Sequence, residues 1–407
     1  MSEKTTFALL NEILDLGTNT MKKLIKNNKK TKVNKLTAAV ALGLTTIGML
    51  SSANANVVIA SDSGWETSIN GSIPVFVIAS DHDNSESAFR VASGFNPANI
   101  NFNVAAPTTA NGLTISGHFQ VDTHLNGPGV QNNSFFESRV AKIQIAGDFG
   151  TFTAGKDFGV FNSSAIGDKA SQGGVGWLGG GADTANATGG RIGTGYVYAN
   201  FNPQVKYVSN NYNGLAFKVA LINPEEPQDA AIESDSPRFE AQINYTTEFD
   251  AGSISLWTGF LQQNLSVSGA TPFDYDLEGM DVGTKVNVGD FSLTLSYTDT
   301  TGIGADGLYG GTINDANVDA TQWYVEAYYT FDKTTVGYSY GEGHQDSRIA
   351  DDSKGLTAVA DVDNELSMLF VHHQLTPQFR LVGELQDYKS DVQDNYDAIV
   401  LGFQYDF

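Results

Sequence analysis

The chain has 407 residues, 46 acidic against 23 basic side chains, a formal net charge of −23 and no cysteine. That charge repels a phosphate backbone and no basic stripe offsets it, which excludes nucleic-acid binding. The missing cysteines exclude disulfides, thiol nucleophiles and thiolate metal sites, and 24 Phe, 16 Tyr and 4 Trp exclude disorder, since that many rings must be buried somewhere.

At the N-terminus, Lys22, Lys23, Lys26, Lys29, Lys30, Lys32 and Lys35 precede an apolar run from Leu36 to Leu50, and Ala53-Asn54-Ala55 follows. Basic region, apolar region and small residues in this order predict a secretory signal peptide cleaved after Ala55. Glu3, Glu12 and Asp15 do not suit a basic leader, so residues 1–55 read as an N-terminal extension plus signal, with translation starting at Met21. The alternative is a membrane anchor, for which about fifteen apolar residues are short of the ~20 a span needs. The segment up to Ala55 holds eight lysines and three carboxylates, which leaves 43 acidic and 15 basic groups in the 352 residues of 56–407. No stretch of about twenty apolar residues follows, so helical spans are excluded there. An exported chain can still enter a membrane as a closed barrel, whose strands signal themselves by about ten alternating residues.

In chain order, candidate strands fall at 65–80, 88–106, 112–124, 136–146, 150–157, 192–209, 214–224, 237–248, 253–266, 275–288, 291–302, 321–332, 334–343, 366–376, 379–390 and 395–407. The 192–209 run reads as one long strand or as two with a break at Asn202-Pro203. Leu215, Phe217, Val219 and Leu221 enclose Ala216, Lys218 and Ala220. Phe239, Ala241, Ile243 and Tyr245 alternate with Glu240, Gln242 and Asn244; Phe291, Leu293, Leu295 and Tyr297 with Ser292, Thr294 and Ser296. Trp323, Val325, Ala327, Tyr329 and Phe331 enclose Tyr324, Glu326, Tyr328 and Thr330, and the last strand sets Ile399, Leu401, Phe403, Tyr405 and Phe407 on one face. Period two is a strand, and one oily face with one polar face is a strand between two media. The second face carries charges and hydroxyls that a dry core would not tolerate unpaired. Hydrocarbon outside and water inside satisfies both faces, and closure satisfies the backbone groups.

The expected fold is therefore all-β, a transmembrane antiparallel barrel of sixteen strands, with fourteen and eighteen left open. Short turns fall at Gly147–Gly150, Val288–Asp290, Phe331–Lys333 and Thr376–Gln378, and long polar connections at 158–190, 303–320 and 344–364. Short turns belong on the periplasmic side and long loops outside. Trp323, Phe331, Tyr388, Tyr396 and Phe407 lie near run ends, as interfacial girdles require.

The text GTFTAGKDFGVF at 150–161, GGRIGTGYVYA at 189–199, VKYVSNNYNGLAFKVAL at 205–221 and the terminal FQYDF resembles the general porins of Gram-negative outer membranes. The resemblance implies a homotrimer of sixteen-stranded, water-filled channels in which the third loop, here 158–190, folds inward. It implies a constriction between loop carboxylates, Asp183 and Asp168, and wall cations, Lys156, Arg139 and Lys142. Asp183 lies in WLGGGADT, which lacks the proline and glutamate usual in such a loop and has glycines instead, with Trp177 as an apolar fastener to the wall. It also implies that Phe407, with Tyr405 and Phe403, is read by the barrel-insertion machinery.

Strict alternation leaves two difficulties. Lys156 shares parity with Phe152 and Ala154, so it reaches the lumen only through a local change at Gly155. Arg139 and Lys142 are three apart and cannot both follow one strict face.

The expected function is passive diffusion of ions and small hydrophilic solutes, cation-preferring because acidic groups dominate. No catalytic, metal or cofactor residue is expected. Acidic loop groups at Asp346, Asp351, Asp352, Asp361 and Asp363 offer contact with divalent cations and lipopolysaccharide, although no run has a calcium-loop spacing. His372-His373 is a poor metal pair, since adjacent strand side chains point oppositely. The competing readings are a solute-specific porin, a barrel-embedded hydrolase and a non-conducting adhesive barrel. The hydrolase lacks a nucleophile elbow, and the two lumenal tyrosines 324 and 328 are too few for a sugar slide.

Overall fold

The computed structural model describes residues 57–60, 63–125, 136–176, 189–224, 232–234, 236–268, 271–307 and 315–407. The signal segment, Trp177 and Asp183 lie outside them. The strands are β1 (Val57–Ala60), β2 (Glu66–His82), β3 (Ala88–Ala92), β4 (Ala98–Ala105), β5 (Thr114–Thr123), β6 (Phe136–Gly147), β7 (Gly150–Phe158), β8 (Phe201–Val208), β9 (Leu215–Ile222), β10 (Ile232–Glu233), β11 (Arg238–Phe249), β12 (Gly252–Val267), β13 (Phe273–Val288), β14 (Phe291–Thr301), β15 (Asp319–Phe331), β16 (Thr334–Gln345), β17 (Val362–Thr376), β18 (Phe379–Ser390) and β19 (Tyr396–Asp406).

These form a sixteen-strand antiparallel barrel. β3 and β4 pair with successive stretches of β2 and are two halves of one stave, interrupted at 93–97. β1 adds four residues beside the start of β2, and β10 adds two beside the end of β12. β19 runs antiparallel to β2 from Tyr396 opposite His82 to Asp406 opposite Ser72, which joins the last strand to the first. Beyond the last pair, Gly71 and Phe407 exchange backbone hydrogen bonds of 2.7 and 2.9 Å. No backbone edge is left along this seam, as a hydrocarbon environment requires. No helix among the described residues is long and apolar enough to cross a membrane; the crossing elements are strands.

The two faces are those the alternation predicts. Ile399, Leu401, Phe403 and Tyr405 are exposed on the outer surface while Ala398 and Val400 are buried; Phe291, Leu295 and Tyr297 are exposed while Ser292, Thr294, Ser296 and Thr298 are buried. So large an exposed apolar surface is untenable in water and natural against lipid. The short turns close as expected, with Gly147 opposite Gly150, Val288 opposite Phe291 and Phe331 opposite Thr334. Gly289 in the second of these has φ 56°, where a Cβ is strained.

Two expectations are corrected. Tyr388 and Tyr396, expected in the interfacial girdles, are buried in an internal cluster with Ala398 and Val400, because their parity is that of the inner face. The 192–209 run is a strand only over Phe201–Val208, and residues 192–200 form turns and isolated bridges. Gly193 and Asn200 have φ of 79° and 53°, which break extended structure, and the apolar Ile192, Tyr196 and Ala199 pack in an internal cluster with Phe158 and Tyr324. The connection after β7 thus runs from Gly159 to Asn200 instead of ending at residue 190.

Candidate functional site

Four inner-wall carboxylates define the site, and each holds at least one backbone amide of the β7–β8 connection. Glu240 on β11 accepts from Val160 N and Phe161 N through one oxygen, at 2.6 and 2.9 Å. Asp281 on β13 accepts from Asn162 N at 2.9 Å and Asn162 Nδ2 at 3.0 Å. Glu326 on β15 takes Lys169 N on one oxygen at 2.6 Å and Ala170 N on the other at 3.0 Å. Glu384 on β18 is 3.1 and 3.2 Å from Val175 N. All four are buried. A buried carboxylate is costly unless donors surround it, and amides left over by an irregular segment are such donors. The arrangement therefore solves two desolvation problems at once and lays the segment along the inner faces of β11 to β18.

Further contacts fix its course. Asn162, in the left-handed region at φ 59°, accepts through Oδ1 from Val197 N and Thr298 Oγ1 at 2.9 and 3.0 Å. The buried Tyr324 hydroxyl donates to Ala165 O at 2.7 Å. Arg191, fully buried, donates to Ser339 Oγ at 2.9 Å and Leu366 O at 3.2 Å. From the other side, Phe95 N and Asn96 Nδ2, in the interruption of the β3–β4 stave, donate to Gly174 O and Gln172 O at 3.4 and 3.1 Å.

The wall cations follow from two local irregularities. The β5–β6 register shifts so that Gln120 faces Val140 and Val121 faces Ser138, leaving Arg139 as the extra residue. This bulge resets the alternation: Glu137 and Arg139 are buried before it, Lys142 after it, which is how two residues three apart reach one face. Lys142 lies 3.0 Å from Asp157, which Lys206 approaches at 2.6 Å. Arg139 lies 3.2 Å from Glu137, and its guanidinium is 5.7 Å from the Phe201 ring centroid.

Gly155 has φ 130°, and the half-buried Lys156 beyond it has Glu137, Arg139 and Asp122 as its charged neighbours. Arg139 and Lys156 thus share one charged group with Glu137 and Asp122, whereas Lys142 belongs to a second with Asp157 and Lys206. Asp168 is elsewhere and fully buried. It caps a short helix at Lys169–Gly173, accepting from Ser171 N at 3.1 Å and from the Ser171 hydroxyl, with Arg191 Nε 3.9 Å away.

Sequence reading did not single out Glu240, Asp281, Glu326 and Glu384 as site residues. The available signal was a carboxylate on the polar face of an otherwise regular strand, which Glu240 and Glu326 displayed. No group of three His, Cys, Asp or Glu side chains among the described residues is placed to hold a metal ion.

A closed sixteen-stranded barrel, oily outside and polar within, with irregular chain fastened to its inner wall, defines a porin-type channel of the outer membrane. The model of the family Gram-negative porin matches residues 37–393, and the chain belongs to that family. A curated relative, porin-like protein H of Photobacterium profundum, is 24% identical over 308 residues, covering 74% of this chain and 81% of the relative. Among solved structures, the outer membrane channel DcaP of Acinetobacter baumannii aligns with a TM-score of 0.63 at 16% identity, over 86% of this chain and 99% of that one. An anion-selective porin from Comamonas acidovorans aligns with a TM-score of 0.62 at 15% identity, over 84% and 100%. The chain is an outer-membrane barrel of porin architecture, serving passive diffusion of solutes and ions.

Proposed function

We propose that the Gly159–Asn200 connection is the constriction of a cation-preferring pore for ions and small hydrophilic solutes. The observation that carries this reading is the row of inner carboxylates, Glu240, Asp281, Glu326 and Glu384, each holding at least one backbone amide of that connection. A segment fastened at so many points subtracts cross-section from the lumen and stays put under solute flow. Lys156, Arg139 and Lys142 are the wall cations of the narrow region. Asp168, turned into the segment toward Ser171 and Arg191, shapes it; Asp183, outside the described residues, is proposed as the constriction carboxylate.

Cation preference rests on the excess of 43 acidic over 15 basic groups after residue 55 and on the exposed Asp346, Asp352, Asp361, Asp363 and Asp391 near the strand ends. Such a mouth holds a negative potential that enriches cations. Residues 1–55 are taken as the extension and signal, and the working assembly as a homotrimer seated in lipopolysaccharide. Single-channel recording of the processed protein in asymmetric KCl tests the reading. The expected result is steps grouped in threes and a reversal potential of the sign for potassium over chloride. A zero reversal potential defeats the selectivity, and the absence of any step defeats the channel.

A further inference from the structure

Three cations converge on the inner wall near the turns after β13 and before β18. Lys285 stands on the lumenal face of β13 with Asp281, and Arg380 is the second residue of β18, on the face that carries Glu384. Lys169 reaches them from the β7–β8 connection. Its ammonium is 5.2 Å from the centroid of the Tyr328 ring, and the ammonium of Lys285 is 5.9 Å from the same centroid. Arg380 and Lys285 are charged neighbours of Lys169, with Glu326 as the anion beside them. Two cations and one carboxylate therefore surround this ammonium.

The nearby carboxylates are already committed: Asp406, a charged neighbour of Arg380, accepts from Gln404 Nε2 at 2.7 Å. Glu326 holds the amides of Lys169 and Ala170, and Glu384 holds Val175 N and, at 2.7 Å, Gln386 Nε2. Among the described residues neither lysine ammonium has a hydrogen-bond or ion-pair partner. Arg380 donates to Gly173 O at 3.3 Å and Gln404 Oε1 at 2.5 Å, while its Nε, the Gln172 Nε2 and both ring nitrogens of His372 have no hydrogen-bond partner among the described residues. His372 is 3% exposed and has Arg380 and Lys169 as its charged neighbours. Unpaired donors and like charges held this close cost energy that an added anion would recover. Lys169 and Lys285 are only half-buried, so the group is open to a solute.

We propose that Lys169, Lys285 and Arg380 form a subsite that takes the oxyanion of a small solute, a carboxylate or a phosphate, over the Tyr328 ring. The proposal rests on the channel reading and adds the solute chemistry to it. It coexists with a cation-preferring mouth, because salt selectivity is set by the whole field whereas this subsite acts at contact range.

The test is planar-bilayer recording of the processed protein at fixed KCl, with inorganic phosphate or succinate added. At least one probe lowers the open-channel current in a saturable way, and K169Q/K285Q raises the half-blocking concentration roughly tenfold or more. Block by phosphate alone or succinate alone assigns the oxyanion. K389Q, which removes a lysine ammonium paired with Glu365 at 3.5 Å, leaves the block unchanged. Should the double variant fail to yield a heat-modifiable barrel, K285Q alone replaces it. No block by either probe, or equal block in wild type and variant, overturns the subsite. Step size and reversal potential from the same channels report the pore and its selectivity separately, so a normal step without block refutes only the subsite.

Discussion

Glu326→Gln tests how the connection is held. In the wild type the carboxylate receives one backbone amide on each oxygen, at 2.6 and 3.0 Å, with no exposed surface. A hydrogen bond to a charged group contributes about 1.5–3 kcal/mol. The glutamine keeps one acceptor and points an NH2 at the other amide, so one bond is lost and the remaining one is no longer charge-assisted. The combined loss is about 3 kcal/mol, or roughly a 10²-fold rise in local opening. Glu240, Asp281 and Glu384 still hold the rest of the segment, so detachment is confined to the short helix. Hydrogen exchange read by mass spectrometry is the assay: peptides across 165–173 exchange roughly 10²-fold faster in E326Q, while strand peptides and the barrel's thermal transition stay as in wild type. Unchanged exchange at Lys169 and Ala170 would refute the claim that this carboxylate fastens the segment.

Other substitutions probe separate links. Gly155→Ala puts a Cβ 2.3 Å from Ala141 O at φ 130°, so it destabilises the β6–β7 pair by about 1–3 kcal/mol; a denaturation midpoint in detergent equal to wild type would contradict this. The Phe407 ring lies over Gly71, where an added Cβ would be 2.7 Å from its tip, and its backbone seals the seam. Phe407→Ala is therefore expected to lower the yield of heat-modifiable barrel in outer-membrane fractions, and undiminished yield counts against reading Phe407 as an assembly signal. The turn residue Asp394 accepts from Ser85 Oγ at 2.5 Å and Asn84 N at 2.9 Å, and these bonds, Ser85 foremost, hold its carboxyl below the ordinary value of 3.8. A lowered value means the clamp between turns 83–87 and 391–395 is complete above the ordinary carboxylate value and is lost as pH falls through the depressed one. Exchange at Asn84, corrected for intrinsic rate, should lose protection only on acidification below that range, and D394N should lack it at every pH; equal protection in both proteins opposes the clamp.

Strand positions and faces were legible along most of the chain because period two is a property of the covalent backbone. Phe291–Tyr297 and Ile399–Tyr405 show their lipid face from spelling alone. The start of the 192–209 run misled for the same reason: its alternating small and apolar residues imitate a strand, while Gly193 and Asn200 adopt left-handed turns and Tyr196 packs inward. Arg139 and Lys142 were recognised as candidates, but their shared face depends on a bulge that only pairing with β5 reveals.

Sequence by itself determined that this chain alternates between oil and water along each strand, turns tightly at Gly147–Gly150 and Val288–Phe291, and ends in an aromatic residue. Tertiary structure alone decided what the lumenal side chains do. Glu240, Asp281, Glu326 and Glu384 come from distant parts of the chain and meet one connection only once the barrel has closed around it. Alternation assigns a side chain to a face; it holds no information about which amide, many residues away, that face will meet.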